Sequence, residues 1–170
     1  MIRAGWLGGW LAAALLLLPV FSRAADDPGK AVLANVAVRV IYATDGDVAV
    51  AGDKAAKLGK SLEQRLRSEE KLRFKNYRSL GMEVQPLFRS YENWAQPLKP
   101  SDEVLVRFDA SSRPTESATR LDLELWLSRK KILKTDVVLE GDRPLFVLGP
   151  EWRGGRIIIA VSLANKETAR

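Results

Sequence analysis

DKAAKLGKSLEQRLRSEE, residues 53–70, is the stretch from which the rest of the chain can be laid out. Ala55, Leu58, Leu62 and Leu66 recur at three- and four-residue intervals, which sets them on one face of an α-helix. Lys54, Lys57, Lys60, Glu63, Arg67 and Glu70 fall mostly on the other side. The spacing predicts one amphipathic helix over 53–70 with a single apolar stripe to bury. Asp47 or Asp53 is placed to cap it, and the later start keeps Gly52 outside. Gly59 stays within, at about 1 kcal/mol relative to alanine. Its place beside Ala55 and Leu62 suits a close approach to a sheet.

Both flanks read as strands. Upstream, VLANVAVRVIYAT (Val32–Thr44) alternates, with Val36, Val38, Val40 and Tyr42 on one face and Ala37, Arg39 and Ile41 on the other. Asp45-Gly46-Asp47 is a turn. Downstream, residues 72–80 and 82–89 read as two strands meeting near Gly81. A short edge segment follows at 93–98, because Pro86, Pro97 and Pro100 cannot donate to a ladder. Residues 103–109, 120–127, 131–140, 144–149 and 156–163 complete the set, with the longest polar loop at 110–119. The strictest alternation is in 120–127, with Leu121, Leu123, Leu125 and Leu127 inward. That strand should form a hairpin with 131–140 whose loop is not two residues. A tight Arg129-Lys130 turn would set Leu125 against Lys134 and Leu123 against Asp136. A one-residue shift sets Leu127, Leu123 and Leu121 against Leu133, Val137 and Leu139. The order predicts an α+β fold, one main helix packed on a mostly antiparallel β-sheet or sandwich, as a single domain over 25–170.

Residues 1–24 are of another kind. Arg3 precedes an uncharged run rich in Leu and Ala, Pro19 interrupts it, and Ser22-Arg23-Ala24 offers small residues at the −3 and −1 positions of a cleavage site. This is the pattern of a signal peptide, with the mature chain starting at Ala25 in the periplasm or outside the cell. An uncleaved anchor is the alternative, since about 20 apolar residues span a bilayer. The chain of 170 residues carries a formal charge of +6. Removing the segment takes two of the 27 basic residues and none of the 21 acidic ones, leaving +4. With no cysteine, an exported chain needs no oxidative folding and cannot be lipidated on cysteine. An export-bound domain without disulfides also points towards a bacterium.

The absence of cysteine and histidine closes most catalytic routes. Zinc and other transition-metal sites lean on those ligands, and neither a Ser-His nor a Cys-His pair can form. No cofactor is expected. Gly154-Gly155 is isolated before a strand and reads as a hairpin turn. Paired carboxylates remain: Asp122 and Glu124 share a strand face and offer an acid and a base for hydrolysis. Alternation places them on the wet side of an amphipathic strand, where carboxylates are ordinary. Asp45, Asp47 and Asp53 supply oxygen ligands for calcium but without a standard loop spacing.

The basic run Lys71, Arg73, Lys75 and Arg78, interleaved with Phe74 and Tyr77, has the look of a nucleic-acid surface. Strand alternation would divide it, with Arg73, Lys75 and Tyr77 on one face. Export removes nucleic acid as a partner and leaves an anionic envelope surface, or a plain solvated face. Trp126 lies on the polar face of its strand beside Asp122 and Glu124, either covered by a loop or open as a platform. Arg73, Lys75, Tyr77 and Trp126 are therefore the candidate binding residues.

Taken together, Val36–Thr44, the helix at 53–70, RFKNYRSL at 73–80, and the run from Gly149-Pro150 through Gly154-Gly155 to Ile157–Val161 resemble a family of small exported bacterial proteins of uncharacterised function. The resemblance implies export and a non-enzymatic role, and carries no functional residues with it. The expected function is an exported interaction module of the bacterial envelope, meeting another envelope protein or an anionic surface, with membrane contact only through an uncleaved signal segment. A lipid- or polysaccharide-binding protein and a carboxylate-based hydrolase are the alternatives.

Overall fold

The computed structural model describes residues 27–112, 115, 118–141 and 143–164; the expected signal segment lies outside them. The elements run β1 (Val32–Thr44), β2 (Ala56–Lys57), α1 (Lys60–Ser68), β3 (Asn76–Phe88), β4 (Asn93–Ala95), β5 (Val104–Ala110), β6 (Ala118–Leu127), β7 (Lys130–Glu140), β8 (Leu145–Trp152) and β9 (Gly155–Leu163). Short 3₁₀ turns occupy Pro28–Lys30, Val48–Ala51 and Glu70–Leu72. The strands make two sheets, ordered β2-β3-β1-β9-β8 and β4-β5-β6-β7, with every pairing antiparallel.

The central strand is β1, and its sequence explains why. Val36, Val38 and Val40 enter the core between the sheets with Phe108, Leu121, Leu123, Leu125, Ile159 and Val161. On its other face, Ile41 and Ala43 join Leu58, Leu66, Leu72, Tyr77 and Ile158 in a second, smaller core beneath α1. A strand apolar on both faces has to be covered on both, which is the condition for a middle layer. The expected helix on a largely antiparallel sheet is thus present, with a second sheet on the far side.

The helix is shorter than its apolar spacing predicts. Residues 53–59 are not helical; Ala56 and Lys57 pair with Ser79 and Arg78 instead. Gly59, expected inside, is the N-cap in extended backbone at φ −65°, ψ 140°. Neither Asp47 nor Asp53 caps α1; Asp47 accepts the Ala49 N–H of the Val48–Ala51 turn. Glycine weakens a helix interior and tolerates its boundary, so the break falls there. The stripe persists past the break, since Leu58 is buried outside the helix while Leu62 and Leu66 pack from within it.

Two strand expectations also need correction. Residues 76–88 form one strand, with a bulge where Val40 faces Gly81 and Ile41 faces Ser79. A side chain at Gly81 would strike the Pro97 carbonyl, so that glycine marks a close crossing rather than a chain reversal. The β6–β7 hairpin does have a two-residue turn, Ser128-Arg129, both at positive φ (46° and 65°) as in a mirror-image hairpin turn. A register shift between Leu125 and Trp126 restores the parity that the turn alone would spoil. Leu125 faces Leu133 and Leu121 faces Val137, so leucine meets an aliphatic partner at these two positions and lysine stays outside.

Candidate functional site

The richest polar constellation lies on the outer face of the four-stranded sheet. Inward Leu121, Leu123 and Leu125 force Asp122, Glu124 and Trp126 outward, and inward Val106 and Phe108 do the same for Arg107 and Asp109. Register then builds rows across the strands. Trp94, Arg107, Glu124 and Lys134 stand side by side from β4 to β7, and Asp109, Asp122 and Asp136 form the adjacent row. The β7 bulge brings Lys131 opposite Trp126.

Glu124 is the hub, and it is only 6% exposed despite facing outward. It accepts hydrogen bonds from Lys131 Nζ at 2.9 Å and Trp126 Nε1 at 3.3 Å. Arg107 Nη1 lies 3.7 Å away and Lys134 Nζ 3.8 Å. The Lys131 hydrogen bond, aided by the nearby charges, outweighs burial and holds the carboxyl below its ordinary range. The Lys131 ammonium sits 5.0 Å from the Trp126 ring centre, and the Trp94 ring packs against Trp126 at 6.2 Å. Arg107 also pairs with Glu92, whose other oxygen accepts from Trp94 Nε1 at 3.3 Å. That pairing lowers the Glu92 pKa and raises that of Arg107. Asp109 differs, because burial pushes its pKa up and Oδ1 has no hydrogen-bond partner, with Arg107 Nη1 3.5 Å away. Beside it a concavity of roughly 340 Å³ opens between Tyr91, Glu92, Arg107 and Asp109.

Asp122 and Glu124 are on this face, as is Trp126 of the four candidate binding residues; the other three lie on the helix side of the other sheet. Arg73 and Lys75 precede β3, so no strand alternation aligns them with Tyr77. Tyr77 is 2% exposed; its hydroxyl donates to the Leu72 carbonyl and accepts the Phe74 N–H, both at 2.8 Å. Arg73 Nε donates to the Arg67 carbonyl at 2.9 Å, and the Lys75 N–H donates to Asp45 Oδ1 at 2.8 Å. This cluster ties α1 to the start of β3. Trp94, Arg107, Glu92 and Lys131 escaped sequence reasoning, because alternation assigns a face within one strand and says nothing of neighbours on the next.

The same geometry bears on the other chemistries. Glu124 is held ionised, the reverse of what a general acid needs; the carboxylate raised by burial is Asp109. Among the described residues no group of carboxylates is placed to hold a metal ion. The apolar cleft between the sheets, at Val40, Leu80, Leu98, Val104, Leu127 and Trp152, measures roughly 250 Å³. The space beneath α1 is filled by Leu66 against Ile41, Ala43 and Ile158. Comparison of the chain with protein-family models, curated proteins and solved structures finds no match.

Proposed function

We propose that this chain is an exported, non-enzymatic interaction module of the bacterial envelope, and that it binds a protein partner through the Trp94–Trp126 face. The observation that supports this is the closed polar network around Glu124. Its carboxylate accepts from Lys131 on one oxygen and from Trp126 on the other, so Glu124 is committed to holding this face together. Trp94 and Tyr91 stay exposed at the margin of that network, next to Arg107. Tryptophan, tyrosine and arginine are the residues on which protein interfaces most depend. A rigid polar lattice that holds aromatic rings in place offers such a partner a preorganised surface.

The test is crosslinked capture from envelope extract, with the full chain as bait and the Trp94→Ala, Tyr91→Ala double variant beside it. The same partner should be recovered with the parent chain and lost with the variant, whose thermal melt stays close to the parent's. Undiminished capture by the variant refutes the assignment. N-terminal sequencing of the product in the same cells checks export; Ala25 is the expected first residue, and an intact Met1 in the membrane fraction contradicts cleavage.

A polysaccharide is the second reading, favoured by the concavity where Tyr91 meets Glu92, Arg107 and Asp109. An aromatic ring beside charged planar groups is a common arrangement for holding a sugar. Quenching of tryptophan fluorescence by cell-wall glycan fragments would support it over the protein partner.

A further inference from the structure

Among the described residues the four-stranded sheet ends at β7, the longest of its strands. Among the described residues β2 and β4, the other marginal strands on the far sides, are two and three residues long. The remaining edge, β8, contains Pro150 and loses register between Leu148 and Glu151. The edge strand β7 runs eleven residues without glycine or proline, and its one bulge, at Ile132, lies near its start. Natural edges are usually shortened, interrupted or charged to prevent pairing, and the central charges of β7, Lys134 and Asp136, are of opposite sign. Counting from Leu133, which packs towards the core, Lys134, Asp136 and Val138 stand on the outer face, and Ile132 is the exposed extra residue of the bulge. Ile132 and Val138 are 45% and 42% exposed, an odd choice for a solvated edge.

The order of those four residues has a symmetry of its own. If β7 is laid antiparallel against a second β7 with Thr135 opposite Thr135, Ile132 faces Val138 and Lys134 faces Asp136, each twice. On the inner face Leu133 meets Val137. Shifting the centre by one residue either way puts lysine against lysine or aspartate against aspartate. The centred register also answers an imbalance inside the sheet. Asp109, Asp122 and Asp136 form a row of three carboxylates with no cation in register, whereas the neighbouring row ends in Lys134 at the edge. Arg107 and Arg120 reach the acidic row only from adjacent rows, at 3.5 and 3.6 Å. The Lys134 of a second copy would close it. Opposite charges and aliphatic pairs set directly across strands favour pairing, and like charges oppose it.

We infer that the β7 edge binds a second copy of this chain, antiparallel about a twofold axis at Thr135, joining two four-stranded sheets into one of eight strands. Main-chain hydrogen bonds supply the attachment, as in other strand-addition complexes, and the side-chain palindrome sets the register. The Trp94–Trp126 face is left free, so failure of this pairing and failure of the partner assignment are separate results.

Two measurements on the full chain test it. Sedimentation should show a concentration-dependent dimer. Asp136→Lys should weaken it by roughly tenfold, as two opposed-charge pairs become like-charge pairs. The swap Lys134→Asp with Asp136→Lys should restore it. The chain has no cysteine, so a single Thr135→Cys reports register directly. Opposed residues alone bring their Cβ atoms within disulfide reach, and oxidation should give a covalent dimer where Ile132→Cys does not. A monomer at every concentration overturns the inference. So does a dimer indifferent to Asp136→Lys or unrescued by the swap, and so does equal crosslinking at the two positions.

Discussion

Glu124 shows how a residue can face outward and still be interior. Arg107, Lys131 and Trp126 roof it, and their hydrogen bonds and charges favour the ionised form. Its pKa in the folded chain therefore lies below the ordinary 4.5. Such a group supports folding at neutral pH, and its contribution is lost as the pH falls through the window below that value. Glu124→Gln should be less stable than the parent at pH 7, and should lose less of its remaining stability as the pH falls below about 4.5. Thermal melts across that range decide it, and parallel curves would contradict the assignment. Asp109 carries the opposite sign. Burial raises its pKa, so its ionisation works against folding as the pH rises, and Asp109→Asn should not destabilise the chain at neutral pH.

Among the elements, α1 is where pattern and backbone part company. The leucine stripe identified the buried face, since Leu58, Leu62 and Leu66 all reach the smaller core. Periodicity could not show that the chain turns extended before Gly59, because a leucine in the right place serves a helix and a loop alike. Leu66 is fully buried and Leu62 partly so. Leu66→Ala should cost about 2–5 kcal/mol, with Leu62→Ala costing less, by denaturant titration. A larger loss at Leu62 would mean that α1 sits differently on the sheet. The β6 alternation was legible for the same reason as the stripe: each face is uniform along one strand. The row Trp94, Arg107, Glu124 and Lys134 was not, since it draws one residue from each of four strands. Its assembly depends on a two-residue turn with positive φ and a compensating bulge, neither of which Ser128-Arg129 announces by composition.

At the scale of the whole molecule, the partition of apolar side chains into two cores makes a three-layer object from one short helix and two sheets. Val40 and Ile41 are neighbours in sequence and belong to different cores. The sheet pairing of β1 with both β3 and β9 has a consequence in time. Among the described residues, the first strand is hydrogen-bonded on one side by the last, from Val36 facing Leu163 to Ala43 facing Arg156. A nascent chain that has not yet reached Leu163 carries β1 with one of its two ladders missing, and lacks Ile157, Ile159 and Val161 in the larger core and Ile158 in the smaller. Contacts so distant in sequence also fold slowly, on a scale of about milliseconds to seconds. If the chain is exported as proposed, it would reach the far side of a translocation pore unfolded until β9 cleared the channel, and a ribosome-bound fragment ending before residue 155 should remain sensitive to protease.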